Sequence, residues 1–210
     1  PSSIGGVAGQ ALDSVRRAVK AGEKRLQVDI LLPGLNPKLE NSAPYSPALL
    51  LSLLREVLSA FDDCASVKVL FSSAGDAAMA QKAYSDAAWP LNTNVRFGGC
   101  IRTAVGPADD AVLIVSPRNS VGDPVILEVE AVVAAAPHAA VLLFNPDLGE
   151  KVALGIRERD RRNSFLGTFR QVFYFRNLFF LRRPDLVPLE KGALMRRYDE
   201  DWSVWVTDDD

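Results

Sequence analysis

Cysteine and histidine are scarce in this sequence: two of the first, Cys64 and Cys100, and one of the second, His138, among 210 residues. With no Cys-x-x-Cys pair and a single imidazole, a zinc site has no ligand set to draw on. No metal and no cofactor are expected. Two thiols in 22.8 kDa fit a reducing compartment such as cytosol or stroma, and both read as small, half-buried hydrophobes. His138 lies between Pro137 and Ala139, with no Ser or Cys in a recognisable nucleophile motif to partner it, so no catalytic residue is assigned.

Long apolar runs are missing too. None reaches the ~18 residues a membrane helix needs. The most apolar segment, Val125 to Leu143, is interrupted by Glu128, Glu130, Pro137 and His138. Any membrane association is therefore expected to be peripheral. Neither charge sign dominates: 24 basic against 26 acidic side chains give a net charge of -2, with no global pull toward nucleic acid or anionic membrane. Nucleic acid is not an expected partner. The chain starts at Pro1 without an initiator Met or a secretory signal, which reads as a processed or trimmed form. The glycine patterns Gly-x-x-x-x-Gly-Lys-Ser/Thr and Gly-x-Gly-x-x-Gly are both absent.

What is present is an ordinary globular composition, 48% hydrophobic and 24% charged, in a chain long enough to bury about 70% of its unfolded surface. After a small, flexible start over residues 1–6, Ala11, Leu12, Val15 and Val19 recur at helical spacing up to Gly22. Residues 25–32 alternate as a strand, and Ser46-Pro47 opens a helix whose leucines cover one face. Residues 67–71, which include Lys68, read as a second strand and 95–97 as a short third one, while 111–115 and 140–144 are short, continuous apolar runs. Helical stretches to about Ala88 and Ala136 alternate with them, which is the pattern of a parallel sheet covered on both faces. After residue 150 come a basic helix over 156–169, aromatic strands over 171–176 and 178–181, and a hairpin of 193–198 with 202–206. The expected fold is α/β: a three-layer, mostly parallel Rossmann-like sheet with helices on both faces and an antiparallel C-terminal strand extension. The expected organisation is a single domain over 1–206, with an alternating β/α core at 7–150, the basic helix and strands at 151–206, and an acidic tail at 207–210.

Two sets of residues stand out. In open α/β sheets ligands gather at the C-terminal strand ends. There the sequence places Ser72, Ser73, Gly75 and Asp76, then Ser116, Arg118 and Asn119, then Asn145. They form a candidate ligand rim, with Arg118 as an anion contact. The plain alternative is turn and capping chemistry, since Ser and Asp suit a helix start and Pro, Asn and Asp suit turns. The second set is Arg157, Arg159, Arg161, Arg162 and Arg170, interleaved with Glu158 and Asp160. On a helix, positions 157 and 161 share a face, able to dock an acidic partner or an anionic membrane surface. The alternative is a solvated face laced with ion pairs. The aromatic residues Phe165 to Phe180 read as core packing before they read as a partner surface.

The order of several short segments resembles the plastid and cyanobacterial family called DUF1995, a domain of unknown function. They are Ala18 to Gly22 leading to Arg25 to Pro33; Val69-Leu70-Phe71 with Gly75 to Ala78; and Trp89. Then come Val115-Ser116-Pro117, Phe144-Asn145-Pro146, Phe165 to Phe169, Val172-Phe173-Tyr174, Arg197-Tyr198 and Trp202. The family includes plastid proteins of the low-photosystem-II-accumulation type, implicated in accumulation or assembly of photosystem II. Similar domains occur fused to adenylate-kinase-like chains. The resemblance implies a non-enzymatic assembly or accessory protein in the plastid, in the stroma or on the stromal face of the thylakoid. Its partners would be photosystem or other thylakoid protein subunits. The alternative is a nucleotide- or phosphometabolite-binding α/β domain.

Overall fold

Three serines open three helices in the same way. Ser3 Oγ accepts from Gly6 N at 3.2 Å and starts α1 (Ile4–Lys20). Ser46 accepts from Leu49 N at 3.2 Å and starts α2 (Pro47–Leu58). Ser73 accepts from Asp76 N at 3.1 Å and starts α3 (Ala74–Ser85). Each cap satisfies a backbone donor that the helix leaves open, worth about 1 kcal/mol. The computed structural model describes residues 3–35, 44–86, 94–99, 101, 105–119, 125–149, 156–183 and 186–206, with backbone alone over 156–158 and 179–191. The acidic tail 207–210, Trp89 and Cys100 lie outside the described residues.

The strands are β1 (Arg25–Leu31), β2 (Val67–Phe71), β3 (Val95–Gly98), β4 (Ala111–Val115), β5 (Ala140–Phe144), β6 (Arg170–Arg183), β7 (Leu186–Arg197) and β8 (Ser203–Val206). They form one eight-stranded sheet in the order β3-β2-β4-β5-β1-β6-β7-β8. The pairings from β3 across to β6 are parallel; β6–β7 and β7–β8 are antiparallel. Every residue of β4 and β5 is buried, as continuous apolar runs require in the middle of a doubly covered sheet.

The pleat divides these side chains between two cores. Leu113, Val115, Leu142 and Phe144 pack with α1, α2 and α3 on one face. Val112, Ile114, Val141 and Leu143 pack on the other with α4 (Val125–Ala135) and with Phe165 and Leu166 of α5 (Ile156–Leu166). The result is the expected three-layer α/β architecture. Full burial of one such Leu or Ile is worth about 1.5–3 kcal/mol.

Some boundaries differ from the sequence reading. Helix α1 begins at Ile4, inside the stretch expected to be flexible, because Ser3 caps it and Val7 and Ala8 are buried. The basic helix stops at Leu166, where Gly167 N donates to Asn163 O, and Phe169 turns into the core. The two aromatic strands are one 14-residue strand, β6, because its pairing with β7 runs straight through Asn177, opposite Ala193. Strand β7 likewise starts at Leu186, well before the expected hairpin.

Candidate functional site

The chain leaves β4 and β5 by matching exits. Ser116 and Asn145 directly follow the two strands and have left-handed backbones, with φ of 48° and 49°. Ser116 N donates to Phe144 O at 2.7 Å, and Asn145 N to Val28 O at 2.8 Å. Each residue is followed by a proline, and beyond the prolines Arg118 and Asp147 form an isolated parallel bridge. Asparagine visits this region readily; serine does so at a cost of about 1–3 kcal/mol, and such residues cluster at ligand clamps.

Strand β2 connects through α3 outward to β3, whereas β4 connects through α4 in the other direction to β5. Because α3 and α4 lie on opposite faces, the two connections diverge and leave a crevice between the strand ends. A cleft of about 310 Å3 occupies it. Leu50, Phe71 and Val115 give it an apolar floor; Tyr45, Ser72, Asp76, Ser116 and Arg118 supply the polar groups. Tyr45 arrives from the segment preceding α2, held by Ser46 N donating to Gly34 O at 2.9 Å. Withdrawal from water pushes the Tyr45 phenol above its ordinary range; the Asp76 carboxylate adds to this and the Arg118 guanidinium opposes it. Both charges thus act on one hydroxyl. Arg118 Nε lies 3.4 Å from Asp147 Oδ2, and Asp76 Oδ2 accepts from Ser73 Oγ at 2.9 Å. The cleft therefore offers an apolar slot, a phenol, a carboxylate and a partly neutralised guanidinium.

The sequence of this chain matches the model of a family described as a domain of unknown function, DUF1995, over residues 1–210. The chain belongs to the DUF1995 family. No solved structure matches it.

Of the rim residues read from the sequence, Ser72, Asp76, Ser116 and Arg118 of this DUF1995 protein meet in the cleft. Ser73 serves as the α3 cap, and Gly75 lies in that helix's first turn. The two asparagines act as pins. Asn145 Oδ1 accepts from Ile30 N at 2.6 Å and its Nδ2 donates to Ile30 O at 3.2 Å, tying the β5 exit to β1. Asn119 is buried, donates to Leu148 O at 2.7 Å and accepts from Ile126 N at 3.0 Å, which fixes the start of α4. Tyr45 is the member that sequence reasoning missed; its one signal was an aromatic residue just before a helix cap.

The arginine segment does not form one face. Arg162 is 9% exposed and donates to Asn163 Oδ1, a correction to the expectation that these arginines stay outside. Arg161 pairs with Glu130 of α4, and Arg170 pairs with Glu23 while its guanidinium stacks 4.7 Å from the Tyr198 ring centroid. Arg159 is exposed, and the Arg157 side chain lies outside the described residues. Cys64 is free and half-buried; burial and then Asp110 and Asp63 push its thiol up, away from the reactive thiolate.

Proposed function

We propose that this DUF1995 chain is a non-enzymatic auxiliary protein that binds subunits of photosynthetic membrane-protein complexes in the plastid, at the stromal face of the thylakoid. The observation that carries the proposal is the bare outer edge of β8. Trp202, Val204, Trp205 and Val206 are all about half exposed or more, at 49%, 62%, 55% and 50%. No charged residue or proline interrupts Ser203–Val206, and no further strand pairs with it among the described residues. Charged residues and prolines are among the devices that blunt natural edge strands; β8 is short, at four residues, but carries neither, and its apolar, aromatic surface suits an extended segment of a protein partner. No helix among the described residues is long and apolar enough to cross a membrane, which accords with docking from one side. Arg159 and the exposed side of Arg161 lie on α5, which packs with α4 rather than beside β8, and would supply a separate charged contact with the partner. The test is co-sedimentation of the full chain with thylakoid membranes. Val204→Lys with Trp205→Lys is expected to abolish it, and Arg159→Glu with Arg161→Glu to weaken it, with circular dichroism unchanged. Undiminished co-sedimentation of the β8 variant would remove the proposal.

The cleft favours a second reading, that of a small-ligand-binding domain. Its charges narrow the ligand class. One guanidinium shared with Asp147 and one carboxylate at the rim oppose a polyphosphate, and they suit a singly anionic molecule with an apolar body and a donor for Asp76. A thermal-shift panel of nucleotides, sugar phosphates and amphipathic carboxylates tests this. A ligand at 100 times its dissociation constant stabilises by about 2.7 kcal/mol. The shift should vanish in Arg118→Ala; no shift from any class counts the cleft out.

A further inference from the structure

A second hollow, of about 380 Å3, lies between the C-terminal half of α1 and the end of β7. Arg16, Arg17, Lys20 and Arg197 line it together with Asp13 and Glu200. Four cations against two carboxylates leave two positive charges in surplus. The negative end of the α1 dipole, about half a charge, offsets only part of that. Glu200 stands in the turn after β7 and receives Arg17 Nη2 on one oxygen at 3.1 Å and Arg197 Nη2 on the other at 2.6 Å. A carboxylate bridged by two guanidiniums from separate elements occupies the position an external oxyanion would take. Arg16 is anchored beside it, donating to Ser59 O at 3.4 Å, and Lys20 forms no ion pair among the described residues. The wall also holds Gln10.

We propose that this hollow is a binding site for a compact phosphate- or sulfate-type anion, carried on a soluble metabolite or on a lipid headgroup, with Glu200 as a built-in competitor for its arginines. The site is separate from the cleft and from the β8 edge. The bland alternative is an ion-pair latch that only ties α1 to the turn after β7. The two differ in what Glu200→Gln does. Full-length protein is titrated with inorganic phosphate and with glycerol phosphate, and floated with vesicles of phosphatidylglycerol in phosphatidylcholine or of phosphatidylcholine alone. Binding should fall with added salt. Arg17→Ala with Lys20→Ala should weaken it about tenfold or more, as loss of charge-assisted contacts predicts. Glu200→Gln should strengthen it several-fold. Binding of the soluble anions assigns a metabolite; binding confined to the phosphatidylglycerol vesicles assigns a headgroup. Binding to neither, binding indifferent to both variants, or weaker binding by Glu200→Gln overturns the proposal. Because these side chains are all partly exposed, the folded state of each variant is checked by its circular dichroism, and Glu200→Gln decides the case even if the double variant unfolds.

Discussion

Asp29 is a carboxylate taken out of water in the middle of β1. Its Oδ2 accepts from Gln171 Nε2 at 2.7 Å and from Gln27 Nε2 at 2.8 Å. Burial pushes its carboxyl above the ordinary range, and the two amides hold it down only in part. The unfolded chain therefore loses this proton at lower pH than the folded one. The contribution of Asp29 to stability is fully present below the unfolded pKa and falls as pH rises through the raised folded value. Asp29→Asn should consequently match or exceed the parent in melting temperature at pH 7, and the advantage should shrink or reverse as pH drops toward the unfolded carboxylate range. A parent that is the more stable at pH 7 would contradict this. Gly99 is a second residue whose role is steric. A Cβ there would come within 2.9 Å of Ala74 Cα, a backbone atom with little freedom to retreat. Gly99→Ala is expected to cost about 1–3 kcal/mol in urea unfolding. Neither role is legible in the sequence: an alternating Asp looks like an outward-facing strand residue, and a glycine after a strand looks like a turn.

At the scale of elements, the short parallel strands were the most legible part of the chain. An unbroken apolar run of five residues, as in β4 and β5, has no polar position to present to water, so it must lie inside a covered sheet. Leu113 is fully buried, in register with Val69 on one side and Leu142 on the other. Leu113→Ala should cost about 2–5 kcal/mol. Leu127 on α4, 46% exposed, should cost far less on the same change, within about 0.5 kcal/mol. Equal losses at the two positions would mean that the core is not where these strands place it. The serine caps were readable where Pro47 or a strand end preceded a helical pattern. Ser3 was not, because its helix starts with Gly5 and Gly6, whose composition resembles a flexible lead. The length of β6 was hidden for another reason. Asn177 interrupts its apolar pattern, and only the facing strand β7 holds the backbone extended across it.

Across the whole molecule, the parallel strands separate the cleft at their C-terminal ends from the cationic hollow toward their N-terminal ends. A five-residue strand spans about 17 Å, beyond the ~8 Å over which exposed charges communicate at physiological salt. Arg118→Ala and Arg17→Ala should therefore change stability additively, within about 0.5 kcal/mol in the double variant. A larger coupling would mean that the two ends share a network. The rim residues of the cleft could be named from the sequence because strand ends carry their own markers, Ser-Ser before a helix and Ser-Pro after a buried run. Tyr45 could not, since it reaches the site from before α2. The hollow was invisible because Arg17 and Glu200 are 183 residues apart and meet only through the β6–β7 return. Sequence alone thus determined the alternation of buried strands and capped helices, since apolar spacing and capping are local and each segment carries its own instructions. Tertiary structure alone decided strand order, and with it where the crevice opens, which arginines face inward and which cations gather around Glu200. Those depend on which distant segments the core brings side by side.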